Sequence, residues 1–424
     1  MTDTIYALSS GAPPAAIAVV RISGPKAGEA LTALAGTLPP PRTARLAALR
    51  QAGEVLDHAL VLHFPGPNSA TGEDVAELHL HGGRSVVAAV LAALAAMPGL
   101  RAAESGEFTR RAFEHGRIDL AEAEGLADLL AAETESQRRA ALALAGGALS
   151  RQVEAWQKRL LAIAAGIEAE LDFDDEGDVQ KLGKSQPKDE VAALAAELGD
   201  WLARPSAERL RDGVRVVIAG PPNAGKSSLI NALVGREAAI TSAIAGTTRD
   251  LVEAPVALGG TPFLFTDTAG LRDSHDAIEA IGVARARNVM DAADIILWLG
   301  PPEDCPQTER AILVQTKADL DPPPRAHDIA VSAVTGAGLA ELAALLVARA
   351  AALLPAEGET ALNARHRAAL AEAADWLGEA ARTDDLLIAA ESLRQARAAL
   401  DRITGRAGVE DMLDALFGRF CIGK

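Results

Sequence analysis

Residues Gly220 to Ser227 read G-P-P-N-A-G-K-S, a full match to the pattern G-x-x-x-x-G-K-[ST]. Val214 to Ala219 before it is a β-branched run, and Ser228 to Leu233 after it opens an apolar helical segment. A glycine turn between a buried parallel strand and a helix aims backbone N–H groups and a helix dipole at one point, which suits phosphate oxygens. This part of the chain is therefore expected to be an α/β unit around a parallel sheet. Gly220 and Gly225 let the turn curl, Lys226 reaches the outer phosphates, and the Ser227 hydroxyl ligates magnesium. Asn223, Ala224 and Ser228 complete the loop.

Four further elements follow in order. Gly246-Thr247-Thr248-Arg249-Asp250 offers threonine hydroxyls, of which Thr248 is expected to close the magnesium shell and sense the terminal phosphate. Asp267-Thr268-Ala269-Gly270 follows the apolar strand Pro262 to Phe265; Asp267 would hold magnesium through water, and Gly270 would let the backbone approach the last phosphate. Thr316-Lys317-Ala318-Asp319 follows the apolar run Ala311 to Val314. The Asp319 carboxylate can accept from guanine N1–H and its amino group, a pair that adenine does not offer, while the Lys317 stem packs along the base. Ser332-Ala333, after the strand-like Asp328 to Val331, suits backbone contact with the guanine oxygen. Together these predict binding and hydrolysis of GTP. Leu271 stands where Ras-type switches place the glutamine that orients the attacking water, so another group must do that work.

The rest of the chain divides by periodicity. Residues 1–117 alternate strand-like runs (Ala16 to Ile22, Ala59 to Phe64, Val75 to Leu80) with alanine-rich helical segments, an α+β pattern. Residues 118–210 read as helical, with Leu126, Leu129, Leu130, Leu142, Leu149 and Val153 at helical spacings. The α/β unit occupies 211–355, and helical periodicity returns over 356–424. The expected fold class is multidomain: an α+β amino-terminal domain, a helical domain, and an α/β P-loop domain inserted in the helical one. Pro322-Pro323-Pro324 and the acidic run Asp172 to Asp178 read as loops. Two cysteines, Cys305 and Cys421, exclude a disulfide framework and point to a reducing cytoplasm. No signal peptide or uninterrupted apolar span of membrane length is legible. A formal net charge of -17 argues against broad capture of nucleic acid, so any RNA must meet local basic patches or a partner's surface.

With the loop, the G-T-T-R-D stretch, D-T-A-G-L-R and the final Cys421-Ile422-Gly423-Lys424, the chain resembles the MnmE (TrmE) family of tRNA modification GTPases. The likeness runs nearly end to end, through Asp3-Thr4-Ile5-Tyr6-Ala7, Val20-Arg21-Ile22-Ser23-Gly24, Glu107-Phe108-Thr109-Arg110-Arg111-Ala112-Phe113 and Leu171-Asp172-Phe173. The resemblance implies a potassium ion held by the Asn223 side chain, Thr247 and the loop carbonyls of Ser242 and Ile244, and a water-positioning glutamate at Glu279. With Lys226 and Thr248, Glu279 would carry the hydrolysis.

It also implies a homodimer whose amino-terminal domain takes 5-formyltetrahydrofolate or a related one-carbon tetrahydrofolate. Arg21, Glu77, Arg117 and Lys424 are the expected contacts, and Cys421 serves either as a reactive thiol or as a buried anchor. The implied work, shared with the FAD-containing partner MnmG (GidA) in a heterotetramer, is addition of a carboxymethylaminomethyl-type group to C5 of wobble uridine in certain tRNAs. A ribosome-assembly GTPase of the Era or Der kind is the competing class. Two departures stand out: Thr316 replaces the asparagine that usually opens the guanine-reading motif, and Arg117 replaces a lysine. His79 and His81 share one strand face but are too few for a metal site, and Arg394, Arg397, Arg402 and Arg406 recur on the last helices as RNA contacts or solvated charges.

Overall fold

A computed structural model describes residues 3–172, 186–236, 253–267, 288–305, 309–320, 327–356, 358–406, 410–418 and 420–424. The chain forms two compact units, one of residues 1–127 with 404–424 and one of residues 128–403.

The first unit is built on six strands: β1 Thr4–Leu8, β2 Ile17–Ser23, β3 Arg45–Gln51, β4 Glu54–Phe64, β5 Val75–His81 and β6 Leu100–Ala102. Their order is β3-β4-β5-β2-β1-β6, antiparallel except for the β1–β6 pair. Alternation gives each strand one buried face: Val20, Ile22, Leu78 and Leu80 point into a core closed by Leu31 and Leu34 of the helix Ala27–Ala35 and by Val90 and Leu94 of the helix Arg84–Ala95. On the opposite face Ile5 and Ala7 pack with Phe108 of the helix Glu107–Glu114. Farther along that face Ile17, Leu46 and Leu60 stay exposed, with Leu46 beside Leu60 and Leu60 beside His79 in register. The helix Glu410–Phe417 and Phe420 pack on Leu120 and Ala123 of the helix Leu120–Ala131. Ile422 then bridges Ser105. Gly423, at φ +97°, passes so close to β1 that an added Cβ would lie 2.0 Å from the Leu8 carbonyl oxygen, so no larger residue fits there.

The second unit joins helices to a second sheet. The helices Ala148–Asp172, Gln186–Ala203, Ala364–Arg382 and Leu386–Thr404 form the helical part. Segments from before and after the α/β insertion meet there: Arg367 donates to the Leu202 and Arg204 carbonyls, and Gln157 donates to Asp401 at 2.7 Å. Trp156, fully buried, stands edge-on to Trp201 at 5.1 Å. The chain enters and leaves the α/β part side by side, since Ser206 bridges Leu362 and Ala207 N–H donates to the Leu362 carbonyl at 3.0 Å. The inserted architecture expected from periodicity is thus the observed one.

Not every leucine of the periodic pattern points inward. Leu149 and Val153 are buried, but Leu130 and Leu142 are half exposed, and Leu120, Ala121, Ala123 and Gly125 form the packed side of their helix. Small residues let helices approach closely, so the tightest contact need not fall on the largest side chains.

The inserted sheet has strands β7 Val214–Ala219, β8 Glu253–Leu258, β9 Thr261–Asp267, β10 Ile295–Trp298, β11 Ala311–Gln315 and β12 Ile329–Ala330 in the order β12-β11-β10-β7-β9-β8. Among the described residues only the edge pair β8–β9 is antiparallel. From β7 the chain goes first to β8 and β9 on one side, then to β10 on the other, so the order reverses beside β7. In open α/β sheets that reversal leaves a crevice at the carboxyl ends of the strands, where ligands bind.

Candidate functional site

The expected phosphate loop lies in that crevice. It leaves the carboxyl end of β7 and enters the helix Lys226–Arg236, two residues earlier than the apolar run alone suggested. Gly220 (φ +147°) and Gly225 (φ +91°) take backbone conformations open to glycine. Asn223 does so without that freedom, at φ +62°. Lys226 is buried and donates to the Gly220 and Pro221 carbonyls at 3.1 and 2.9 Å. Ser227 Oγ donates to Asp267 Oδ2 at 2.7 Å, which brings together the two groups assigned to magnesium from separate motifs. A hydroxyl from the first turn of the helix and a carboxylate from the end of β9, both hard oxygen donors, fit a magnesium ion.

The base-reading elements follow β11 and β12. Ser332, fully buried, donates from Oγ to Asp319 Oδ1 at 2.5 Å and so orients that carboxylate. Ala318 N–H donates to the Val331 carbonyl at 3.1 Å, which ties the T-K-A-D and S-A segments together. Thr316 Oγ1 donates to the Ala224 carbonyl at 2.5 Å, and Lys317 Nζ to the Asn223 carbonyl at 3.1 Å. Ser228 is exposed on the first turn of the helix, and Ala333 is half-buried beside Ser332. Ser242, Ile244, Thr247, Thr248, Gly270 and Glu279 lie outside the described residues, as do Pro322 to Pro324 and the acidic run from residue 173 onward.

A second cluster occupies the first unit. Arg21 of β2 and Glu77 of β5 are register partners, and the guanidinium donates twice to Glu77 Oε1, at 3.0 and 2.9 Å. The Arg21 guanidinium also stands 5.8 Å from the Phe108 ring centroid. Phe108 N–H donates to the Lys424 carbonyl at 3.2 Å, so Lys424 reaches this neighbourhood through its backbone. Arg117 does not join the pair: it is exposed beside Gly72, and its side chain has no hydrogen bond or ion pair among the described residues. Cys421 is exposed, which removes the buried-anchor alternative. His79 faces Glu77 at 3.2 Å and His81 faces Asp57 at 2.7 Å. Arg394 pairs with Glu391 on its own helix, and Arg402 pairs with Glu372.

Sequence reasoning quoted Arg111 without giving it a task. Its guanidinium is fully buried and meets Asp3, Glu73 and Glu107, each at 3.0 Å. Arg101 also binds Asp3 and Glu107. Burial pushes the Glu107 carboxyl upward, but hydrogen bonds from Arg101, the Glu104 amide and Arg111 outweigh it and hold the group below its ordinary 4.5. Burial lowers the Arg111 value, and Glu73 and Glu107 more than restore it, so the net shift is upward. The available signal was Glu107 one helical turn before Arg111, the spacing at which side chains on a helix meet.

Residues 4–117 match the family described as the GTP-binding protein TrmE N-terminus, and residues 120–421 match the MnmE helical domain. The chain belongs to the MnmE family. Among its relatives is the tRNA modification GTPase MnmE of Rhizorhabdus wittichii, 62% identical over 429 residues that cover 100% of this chain and 97% of that protein. The Erythrobacter litoralis protein of the same description is 59% identical over 424 residues, covering 100% of both. Of solved structures, the G domain of the T. maritima FeoB iron transporter aligns with 32% of this chain and 98% of its own at 26% identity, with a TM-score of 0.24, too low to carry weight. No helix among the described residues is long and apolar enough to cross a membrane.

Proposed function

We propose that this chain hydrolyses GTP to drive modification of the wobble uridine of certain tRNAs. The observation that carries this reading is the meeting of Lys226, Ser227, Asp267, Asp319 and Ser332 at the carboxyl edge of one parallel sheet. There the loop amides and Lys226 bind the phosphates, and Asp319, aimed by Ser332, selects guanine. Magnesium, when bound through Ser227, Thr248 and Asp267, neutralises phosphate charge. Glu279 orients the attacking water, and Gly270 lets the backbone follow the terminal phosphate.

Potassium is the proposed stand-in for an arginine finger. Its donors would be the Asn223 amide oxygen, Thr247 and the carbonyls of Ser242 and Ile244, and its charge would steady the transferring phosphoryl group. Asn223 suits this: it is neutral, oxygen-bearing and exposed, and its side chain has no hydrogen bond among the described residues.

The functional segments are those at 1–117, 118–210, 211–355 and 356–424, the tail of the last serving the amino-terminal site. That site would take a one-carbon tetrahydrofolate such as the 5-formyl form, through Arg21, Glu77, Arg117 and Lys424, and the Cys421 thiol would be in reach of solution. The exposed Ile17, Leu46 and Leu60 beside it support a homodimer formed on this sheet face. A FAD-containing partner, MnmG, would complete the modifying complex in the cytoplasm, as a heterotetramer. GTP hydrolysis closes paired G domains and shifts the population of the assembly rather than supplying a product bond.

Mass spectrometry of tRNA nucleosides tests the reading. A strain without this protein is expected to lose the modified wobble uridine, with rescue by the wild type but not by Lys226→Ala or Glu279→Ala. Glu279→Ala should still bind GTP while its turnover drops by roughly 10³-fold or more. An unchanged nucleoside profile would move the assignment to the ribosome-assembly class.

A further inference from the structure

Asn223 and Lys317 are non-glycine residues with left-handed backbones, at φ +62° and +59°. Such conformations persist only where the surroundings over-determine them. Here each loop holds the other: Lys317 Nζ donates to the Asn223 carbonyl at 3.1 Å, and Thr316 Oγ1 donates to the next carbonyl, Ala224, at 2.5 Å. Two consecutive carbonyls of the phosphate loop are thus tied to two consecutive residues of the base-reading loop. The Asn223 side chain, by contrast, has no hydrogen bond among the described residues, so its direction is inherited from the backbone beneath it.

We propose that Thr316 is a positioning residue: with Lys317 it fixes the Asn223-Ala224 backbone and so aims the Asn223 amide oxygen at a monovalent cation. The inference rests on the potassium reading above. It assigns a task to the hydroxyl that this chain keeps where an asparagine is usual. A threonine hydroxyl has one proton, and here it goes to Ala224. Occupation of the base loop and affinity for the cation then become two ends of one linkage.

The test compares the full chain with Thr316→Val, which keeps the shape and removes the donor, and with Thr316→Ser, which keeps the donor. Hydrogen exchange across residues 221–229 is read first, without cation or nucleotide. Hydrolysis is then titrated with potassium at constant ionic strength, sodium making up the balance. Loss of one such bond should quicken exchange and raise the half-saturating potassium concentration by roughly 3- to 10-fold, with serine restoring both. The affinity for GDP in sodium should change by a smaller factor. Exchange and half-saturation that stay at wild-type values in Thr316→Val would overturn the proposal. A wild type indifferent to replacement of potassium by sodium would instead overturn the cation reading; the two failures are distinguishable because the exchange comparison needs no cation.

Discussion

The nucleotide site and the amino-terminal cluster are assembled in opposite ways. At the first, short segments each arrive at the same edge of a parallel sheet, and recognition rests on backbone geometry: two glycines, two strained non-glycine residues and a helix start. At the second, Asp3 and Glu73 are brought from far along the chain to Arg101, Glu107 and Arg111 and are held chiefly through side chains. Backbone recognition leaves a local signature, because few residues tolerate the required conformations. A charge cluster leaves almost none, since any one arginine or glutamate looks like a solvated surface group.

The comparison breaks most visibly at Arg111. Replacing it with methionine leaves Glu73 buried without its ion-pair partner and Glu107 with Arg101 alone, which should cost about 3–5 kcal/mol and lower the thermal midpoint of the first unit. Nucleotide affinity, measured by fluorescent GDP titration, should hold; if it fell together with the midpoint, the two regions would not be separable. An intact midpoint would mean that the cluster holds nothing together.

Acid should act next. The folded Glu107 carboxyl titrates below its ordinary 4.5, so its contribution to stability is complete above 4.5 and is lost as the pH falls through the lower folded value. Thermal unfolding followed from neutral pH downward is expected to weaken below 4.5, and Glu107→Gln should start less stable and show a shallower decline. A parallel decline in wild type and variant would assign the acid sensitivity to other carboxylates.

The smallest effect belongs to an exposed pair of the second unit. Glu135 titrates at about 2 because Arg138 and Arg139 hydrogen-bond it, yet all three side chains are about half exposed. Solvent screens such pairs, and Arg138→Ala should leave the thermal midpoint where it was. A clear drop would show that surface charge matters here as much as the buried kind.

Legibility followed the same division. Val214–Ala219 and the phosphate loop were readable to the residue, because a β-branched run, two glycines and a lysine are each constrained by local chemistry. Asp267, Asp319 and Ser332 were readable as motifs, but not the bonds Ser227 to Asp267 and Ser332 to Asp319, which need strand order. Arg21 and Glu77 were read as separate ligand contacts and turn out to be cross-strand partners. Arg117 was placed with them, and its exposed side chain makes no hydrogen bond or ion pair to them. The leucine periodicity found the helices but carried no statement of which side packs: Leu149 and Val153 are buried, whereas Leu130 and Leu142 are half exposed.

By itself, then, the sequence determined the nucleotide class, the α/β insertion and the order of its motifs, since backbone conformation and hydrophobic period are local properties. Tertiary structure alone decided that the last residues, Ile422 to Lys424, lodge against β1 and the start of the helix Glu107–Glu114, and that Arg111 lies buried among carboxylates. It also decided that Thr316 reaches the phosphate loop. Most of those contacts join residues tens to hundreds of positions apart, and their energy depends on burial and distance, neither of which the order of residues records.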